Sequence, residues 1–191
     1  MTNKKVIVIV SDIFGSTPAL NEFALAIADG QQSIIIEPYQ GQQMIFSCEQ
    51  SAYQYFTEHV GLENYVIEAK RQLSRLSDVD VVIGFSIGGS VLWQLSAQAP
   101  QLLSSDLNMA FYASQIRNMT ELKPQVPIEL IMPKSETHFD VAALAKKLVT
   151  YPKVKVRHTS YLHGFINRCS DNFSLQGYQQ FCQQLKPLVT K

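Results

Sequence analysis

Gly84-Phe85-Ser86-Ile87-Gly88 sets a serine between two glycines. A serine hydroxyl is a poor nucleophile, so one that attacks a carbonyl carbon needs an exposed position, a base, and donors for the charge that develops on oxygen. The flanks of this pentapeptide could supply the position. Val81 to Ile83 is a β-branched run of the kind that forms a strand buried on both faces. Val91, Leu92, Leu95 and Ala99 then recur at helical spacing as far as Pro100. Strand, G-x-S-x-G and helix is the context of a nucleophile elbow, in which a sharp, strained turn lifts the serine clear of the sheet. The glycines leave room for strand and helix to approach. The N–H of Ile87, at the helix start, then points toward an oxyanion. Without such flanks the pentapeptide would be an ordinary turn carrying a chance serine.

Four histidines could serve as the base. His59 lies in a helical segment and reads as a surface residue. His158 falls within the last strand, where its side chain is expected to face a helix or the core. His138 sits in a strand-exit loop. His163 follows the final strand, beside Gly164, and in a Ser…acid…His chain order this is the expected place for the base. The acid that orients it has two candidates after the strand ending at Met132. Glu136 lies in the loop itself and is favoured. Asp140 directly precedes a helical run and also reads as its N-cap.

These residues must be carried by a parallel sheet. Lys4 to Val10 reads as a first strand, apolar throughout, and Thr17-Pro18 opens a helix with Leu20, Phe23, Ala24 and Ile27 on one face. Ser33 to Ile36 is a second buried strand. The Gln-rich, aromatic stretch from Tyr39 to Phe56 holds a loop and a helix near Glu49 to His59, which either walls a pocket or simply connects across the surface. Leu62, Tyr65, Val66, Ala69, Leu73 and Leu76 form a helix face leading back to the elbow strand. Strands follow near Leu107 to Tyr112, Ile128 to Met132 and Val154 to Thr159, with a helix after Asp140 and a closing helix from about Leu175 to Leu185. The expected fold is α/β: one domain over residues 1–191, with a doubly wound, mostly parallel six-stranded sheet and strands alternating with helices. Every candidate polar group lies just past the carboxyl end of a strand, where open parallel sheets place their ligands.

Composition narrows the function. The 191 residues suffice for one sizeable core, and 16 basic against 16 acidic residues leave no net charge. With no basic run and no long apolar stretch, neither a nucleic acid nor a membrane is an expected partner. Cys48, Cys169 and Cys182 are odd in number and show no metal-ligand spacing, so no disulfide framework, metal or other cofactor is expected and a cytoplasmic setting is the default.

Ile13-Phe14-Gly15 after the first strand, the elbow Gly84-Phe85-Ser86-Ile87-Gly88-Gly89, and Tyr161-x-His163-Gly164-Phe165 near the end occur in that order. Together they resemble the dienelactone hydrolase family of α/β-hydrolases, and the resemblance runs from Lys4 to about Leu185. It implies Ser86 as nucleophile, His163 as base, and the backbone N–H groups of Ile13 and Ile87 as the oxyanion hole. It further implies an acidic residue at Asp12 beside the nucleophile. Four departures accompany it. Serine replaces the cysteine of the founding enzymes. The acid loop, Pro133-Lys134-Ser135-Glu136-Thr137-His138-Phe139, is one residue longer than the family's. The family's N-terminal hairpin is absent, since the first strand begins almost at Met1. The arginines that grip an anionic substrate are not matched, Arg168 being the nearest candidate. With Phe14 and Tyr39 as aromatic substrate contacts, the expected activity is hydrolysis of a small, neutral or weakly polar ester or lactone by a monomer or small homo-oligomer. The alternatives are a thioesterase, acyltransferase or peptidase on the same scaffold, or a binding protein that has kept the fold without turnover.

Overall fold

A computed structural model describes residues 4–190 of the chain. Six strands form one sheet: β1 (Val6–Val10), β2 (Gln32–Ile36), β3 (Val79–Phe85), β4 (Leu107–Phe111), β5 (Ile128–Met132) and β6 (Val154–His158). Their order across the sheet is β2-β1-β3-β4-β5-β6, and each neighbouring pair is parallel. The first strand is therefore internal. The stretch before Lys4, where a hairpin would lie, is outside the described residues.

The helices are α1 (Pro18–Ala28), α2 (Glu49–His59), α3 (Gly61–Leu73), α4 (Ile87–Gln98), α5 (Val141–Leu148) and α6 (Leu175–Thr190). Alternation along each strand decides which helix covers which face. In β1, Ile7 and Ile9 join Phe23 and Ile27 of α1 and Phe181 and Leu185 of α6 in one cluster. Val8 and Val10 point the other way, into a cluster with α3, α4 and α5 that includes Tyr65, Leu92 and Leu144. Both faces of the sheet are thus covered, which is why β1 and residues 81–85 of β3, at its middle, are unbroken apolar runs. Each fully buried side chain of this size contributes roughly 1.5–3 kcal/mol.

Two expectations need correction. Strands and helices do not alternate strictly, because β4 and β5 are joined by a short 3-10 turn at Ser114–Asn118 and an irregular segment, whereas two helices lie between β2 and β3. Pro124 and Pro127 each remove an N–H and bar a helix from that segment. His158 faces neither helix nor core; it is exposed at the end of β6, an edge strand.

Candidate active site

The elbow forms where β3 meets α4. Ser86 takes φ 51° and ψ −111°, a combination that an L-residue adopts only at a cost of about 1–3 kcal/mol. Its N–H donates to Phe111 O at 2.9 Å and its carbonyl accepts from Ser90 N at 3.1 Å, so strand and helix hold the turn from both sides. The glycines are there for contact. A Cβ on Gly84 would stand 2.6 Å from Gly88 O, and one on Gly88 would stand 2.3 Å from Val10 O. Because Gly88 has none, the start of α4 packs directly on the end of β1, and Ile13 and Ile87 come to line the same cleft as Ser86.

Two exit loops bring up the other groups. Lys134 N donates to Tyr161 O at 2.6 Å and Thr159 N to Met132 O at 3.0 Å, which ties the loop after β5 to the loop after β6. Gly164, at φ 80°, then turns the second loop back on itself, and a Cβ there would collide with Ser170 Oγ. The result is a continuous hydrogen-bonded chain. Ser86 Oγ lies 2.8 Å from His163 Nε2, and His163 Nδ1 lies 2.7 Å from Glu136 Oε1. An ionised carboxylate can only accept, so Nδ1 carries the proton and Nε2 is free to accept from the serine hydroxyl. Such a chain can move a proton off Ser86 as its oxygen attacks a carbonyl. Tyr112, just past the end of β4 at φ 39°, packs its ring 4.9 Å from the imidazole. Its place at a strand's carboxyl end is the only sign of this role in the sequence.

The loop after β1 is built around Asp12. Its Oδ1 accepts from Phe14 N at 2.9 Å and its Oδ2 from Asn167 Nδ2 at 2.6 Å. Burial raises its pKa to about 6, outweighing those two hydrogen bonds and the nearby His163, which pull the other way. Ile87 is the first residue of α4, where a helix has N–H groups without intrahelical acceptors.

Ser86, Ile13, Ile87, Glu136 and His163 share one open cleft of about 760 Å³. Phe14 lines it as well, and α2 closes one side with Glu49, Gln50, Tyr53 and Phe56, so the stretch from Tyr39 to Phe56 does supply a pocket wall. Two of the expected substrate contacts are placed elsewhere. Tyr39 is 7% exposed, lies behind the loop after β1 and donates to Ile13 O. Arg168 points away. The turn closed by Asn167 N and Gly164 O sends Asn167 inward to Asp12, while Arg168 pairs outward with Glu22 at 3.0 Å and lies over Tyr178. The guanidinium that does line the cleft is that of Arg117, from the turn after β4, lying 5.2 Å over the ring of Phe139. His138 also lines the cleft; His59 lies tilted against Tyr55, ring centroids 4.4 Å apart. Asp140 accepts from Ala142 N and Ala143 N as the cap of α5. Among the described residues, no group of three or more His, Cys, Asp or Glu side chains is arranged to hold a metal ion.

A parallel sheet in this order, with a serine on a tight turn after β3 and a histidine and a carboxylate in later exit loops, defines the α/β-hydrolase fold. The chain belongs to the dienelactone hydrolase family, which it matches over residues 1–185. It is 26% identical over 179 residues to the uncharacterized protein YczH of Bacillus subtilis (strain 168), covering 91% of this chain and 87% of that protein. Among solved structures, it resembles a putative dienelactone hydrolase from Klebsiella pneumoniae subsp. pneumoniae MGH 78578 with a TM-score of 0.72 at 13% identity, covering 100% of this chain and 89% of that one. The dienelactone hydrolase-like promiscuous phosphotriesterase P91 from metagenomic libraries is similar with a TM-score of 0.63 at 15% identity, covering 97% and 87% of the two chains.

Proposed function

We propose that this protein is a serine hydrolase that cleaves a small, uncharged carboxylic ester or lactone through an acyl-enzyme on Ser86. The observation that carries the reading is the unbroken chain from Ser86 through His163 to Glu136, with spacings of 2.8 and 2.7 Å, on the floor of an open cleft. In the forward step His163 Nε2 takes the hydroxyl proton while Ser86 Oγ bonds to the carbonyl carbon. The N–H groups of Ile13 and Ile87 hold the oxyanion, and the imidazolium, balanced by Glu136, returns the proton to the departing alcohol oxygen. A water then repeats the sequence on the acyl-enzyme and releases the acid.

The charge around the cleft disfavours an anionic substrate. Asp12, Glu49, Glu136 and Asp171 line it, against the single guanidinium of Arg117. Phe14, Phe56 and Phe139 offer apolar surface to an acyl or leaving group. The cytoplasm is the proposed location, consistent with three cysteines that carry free thiols. No helix among the described residues is long and apolar enough to cross a membrane.

A fluorophosphonate probe followed by peptide mapping tests the reading. Ser86 should be labelled, with labelling lost in Ser86→Ala and strongly slowed in His163→Ala, and chromogenic esters of graded acyl length should be turned over faster than matched thioesters and amides. Folded protein that neither reacts nor turns over any ester would make it a binding protein on a hydrolase scaffold. Faster thioester than ester turnover would make it a thioesterase.

A further inference from the structure

Ile13 contributes its N–H to the cleft only if its backbone is held, and Ile13 itself is a half-buried aliphatic residue in a loop. The peptide that follows it is gripped at both ends. Its carbonyl, Ile13 O, accepts from Tyr39 Oη at 2.5 Å, and its N–H, that of Phe14, donates to Asp12 Oδ1 at 2.9 Å. The two grips come from opposite sides, Asp12 from the cleft and Tyr39 from behind the loop.

The Tyr39 side is itself fixed. Its ring lies against Gly15, where a Cβ would stand 2.8 Å from Tyr39 Cδ2, so a side chain at residue 15 would push the tyrosine off its carbonyl. Phe46 and Tyr55 pack on the ring, each with centroids 5.9 Å away, and Phe46 reaches Phe14 in turn. Behind it, Glu37, at 6% exposure, accepts from Tyr39 N and Gly41 N, both at 2.6 Å, and sets the bend that starts the segment after β2. Burial raises the phenol pKa far above its ordinary value, so Tyr39 remains a donor at any working pH.

We propose that Tyr39 is a positioning residue for the oxyanion hole, and that its hydroxyl, by tying the Ile13 carbonyl to the segment after β2, holds the Ile13 backbone, and with it the Ile13 N–H, in place. This rests on the reading of Ile13 N–H as an oxyanion donor. Donors to an oxyanion act through geometry set before the reaction. With the carbonyl released, the Ile13 Cα loses its tie to the segment after β2, the loop after β1 can shift, and Ile13 N–H moves with its Cα. A donor displaced in this way still lets substrate bind but stabilises the transition state less, so the loss falls on turnover.

Tyr39→Phe is the test, because it keeps the ring packed on Gly15, Phe46 and Tyr55 and removes only the hydroxyl. On a p-nitrophenyl ester, kcat should fall roughly ten- to hundredfold with KM within about twofold. The affinity for a boronic acid, which mimics the tetrahedral state, should fall by a similar factor. The melting temperature should stay within a few degrees of wild type. Hydrogen exchange in the peptide covering residues 11 to 17 should rise, a readout that needs no substrate. Wild-type kcat and unchanged exchange in folded Tyr39→Phe would overturn the inference. So would a kcat loss matched by a rise in KM or by a collapse in melting temperature. Ser86→Ala, run alongside, separates the two levels: turnover that survives in it sinks the serine-hydrolase reading, whereas turnover lost in it but unaffected by Tyr39→Phe sinks only the role of Tyr39.

Discussion

Glu136 and His163 meet at 2.7 Å, Oε1 to Nδ1, although they arise from different exit loops, while Asp140, further along Glu136's own loop, turns away to cap α5. The two carboxylates therefore do separable work. Glu136→Gln keeps the shape but turns the acceptor into a group that can also donate, which disturbs the imidazole tautomer. Its kcat should fall by about 10²- to 10⁴-fold with the fold intact. Asp140→Asn should cost at most roughly 1 kcal/mol, as the loss of a helix cap, and leave kcat near wild type. Steady-state kinetics and urea unfolding on both variants check this. A crippled Asp140→Asn beside a mild Glu136→Gln would exchange their roles.

Asp12 makes stability depend on pH in an unusual direction. Burial raises its pKa in the folded protein from 3.8 to about 6. The folded state therefore holds the proton more tightly than the unfolded chain. Its contribution to stability is fully present below about pH 3.8 and is lost as pH rises through about 6. A shift of this size corresponds to a loss on the order of 3 kcal/mol, set against whatever other carboxylates contribute in the same range. Asp12→Asn removes the term. The stability of the variant minus that of wild type should grow from pH 4 to pH 6.5 and then level off. Urea midpoints across that range measure it, and a difference flat in pH would place the ionisation elsewhere.

The elements that could be read directly from the sequence were those set by neighbours along the chain. The β-branched run of β3, the glycines at 84 and 88 and the apolar spacing of α4 all lie within one short stretch, and local sterics fix the turn. Arg168 and Tyr39 were misplaced because their directions depend on contacts distant in sequence. Arg168 is sent outward by a turn whose inward partner, Asn167, is held by Asp12 at the other end of the chain. Tyr39 finds its carbonyl only once β1 and β2 have paired and carried their exit loops side by side. Arg117 is not legible as a cleft residue for a similar reason, since the segment joining β4 and β5 has no periodicity to show which way it faces.

The strained turn at Ser86 sets stability against the proposed function at one residue. A φ of 51° with a ψ of −111° is open to glycine but costs any residue with a Cβ about 1–3 kcal/mol. The strain is sustained by the bond from Ser86 N to Phe111 O and by the close packing at Gly84 and Gly88, none of which involves the serine side chain. Ser86→Gly should relieve the strain while keeping those contacts. Part of the gain is offset by the greater freedom of glycine in the unfolded chain, roughly 0.5–1 kcal/mol. The variant should therefore be more stable than wild type by about 1 kcal/mol while losing ester turnover and fluorophosphonate labelling together. Ser86→Ala, which keeps the Cβ, should lose activity equally without that gain in stability. Thermal and urea unfolding of the three proteins distinguish these outcomes. Equal stability of the glycine and alanine variants would mean that the backbone at residue 86 relaxes once the hydroxyl is gone, and that the strain belongs to the hydrogen bond with His163 instead of to the turn.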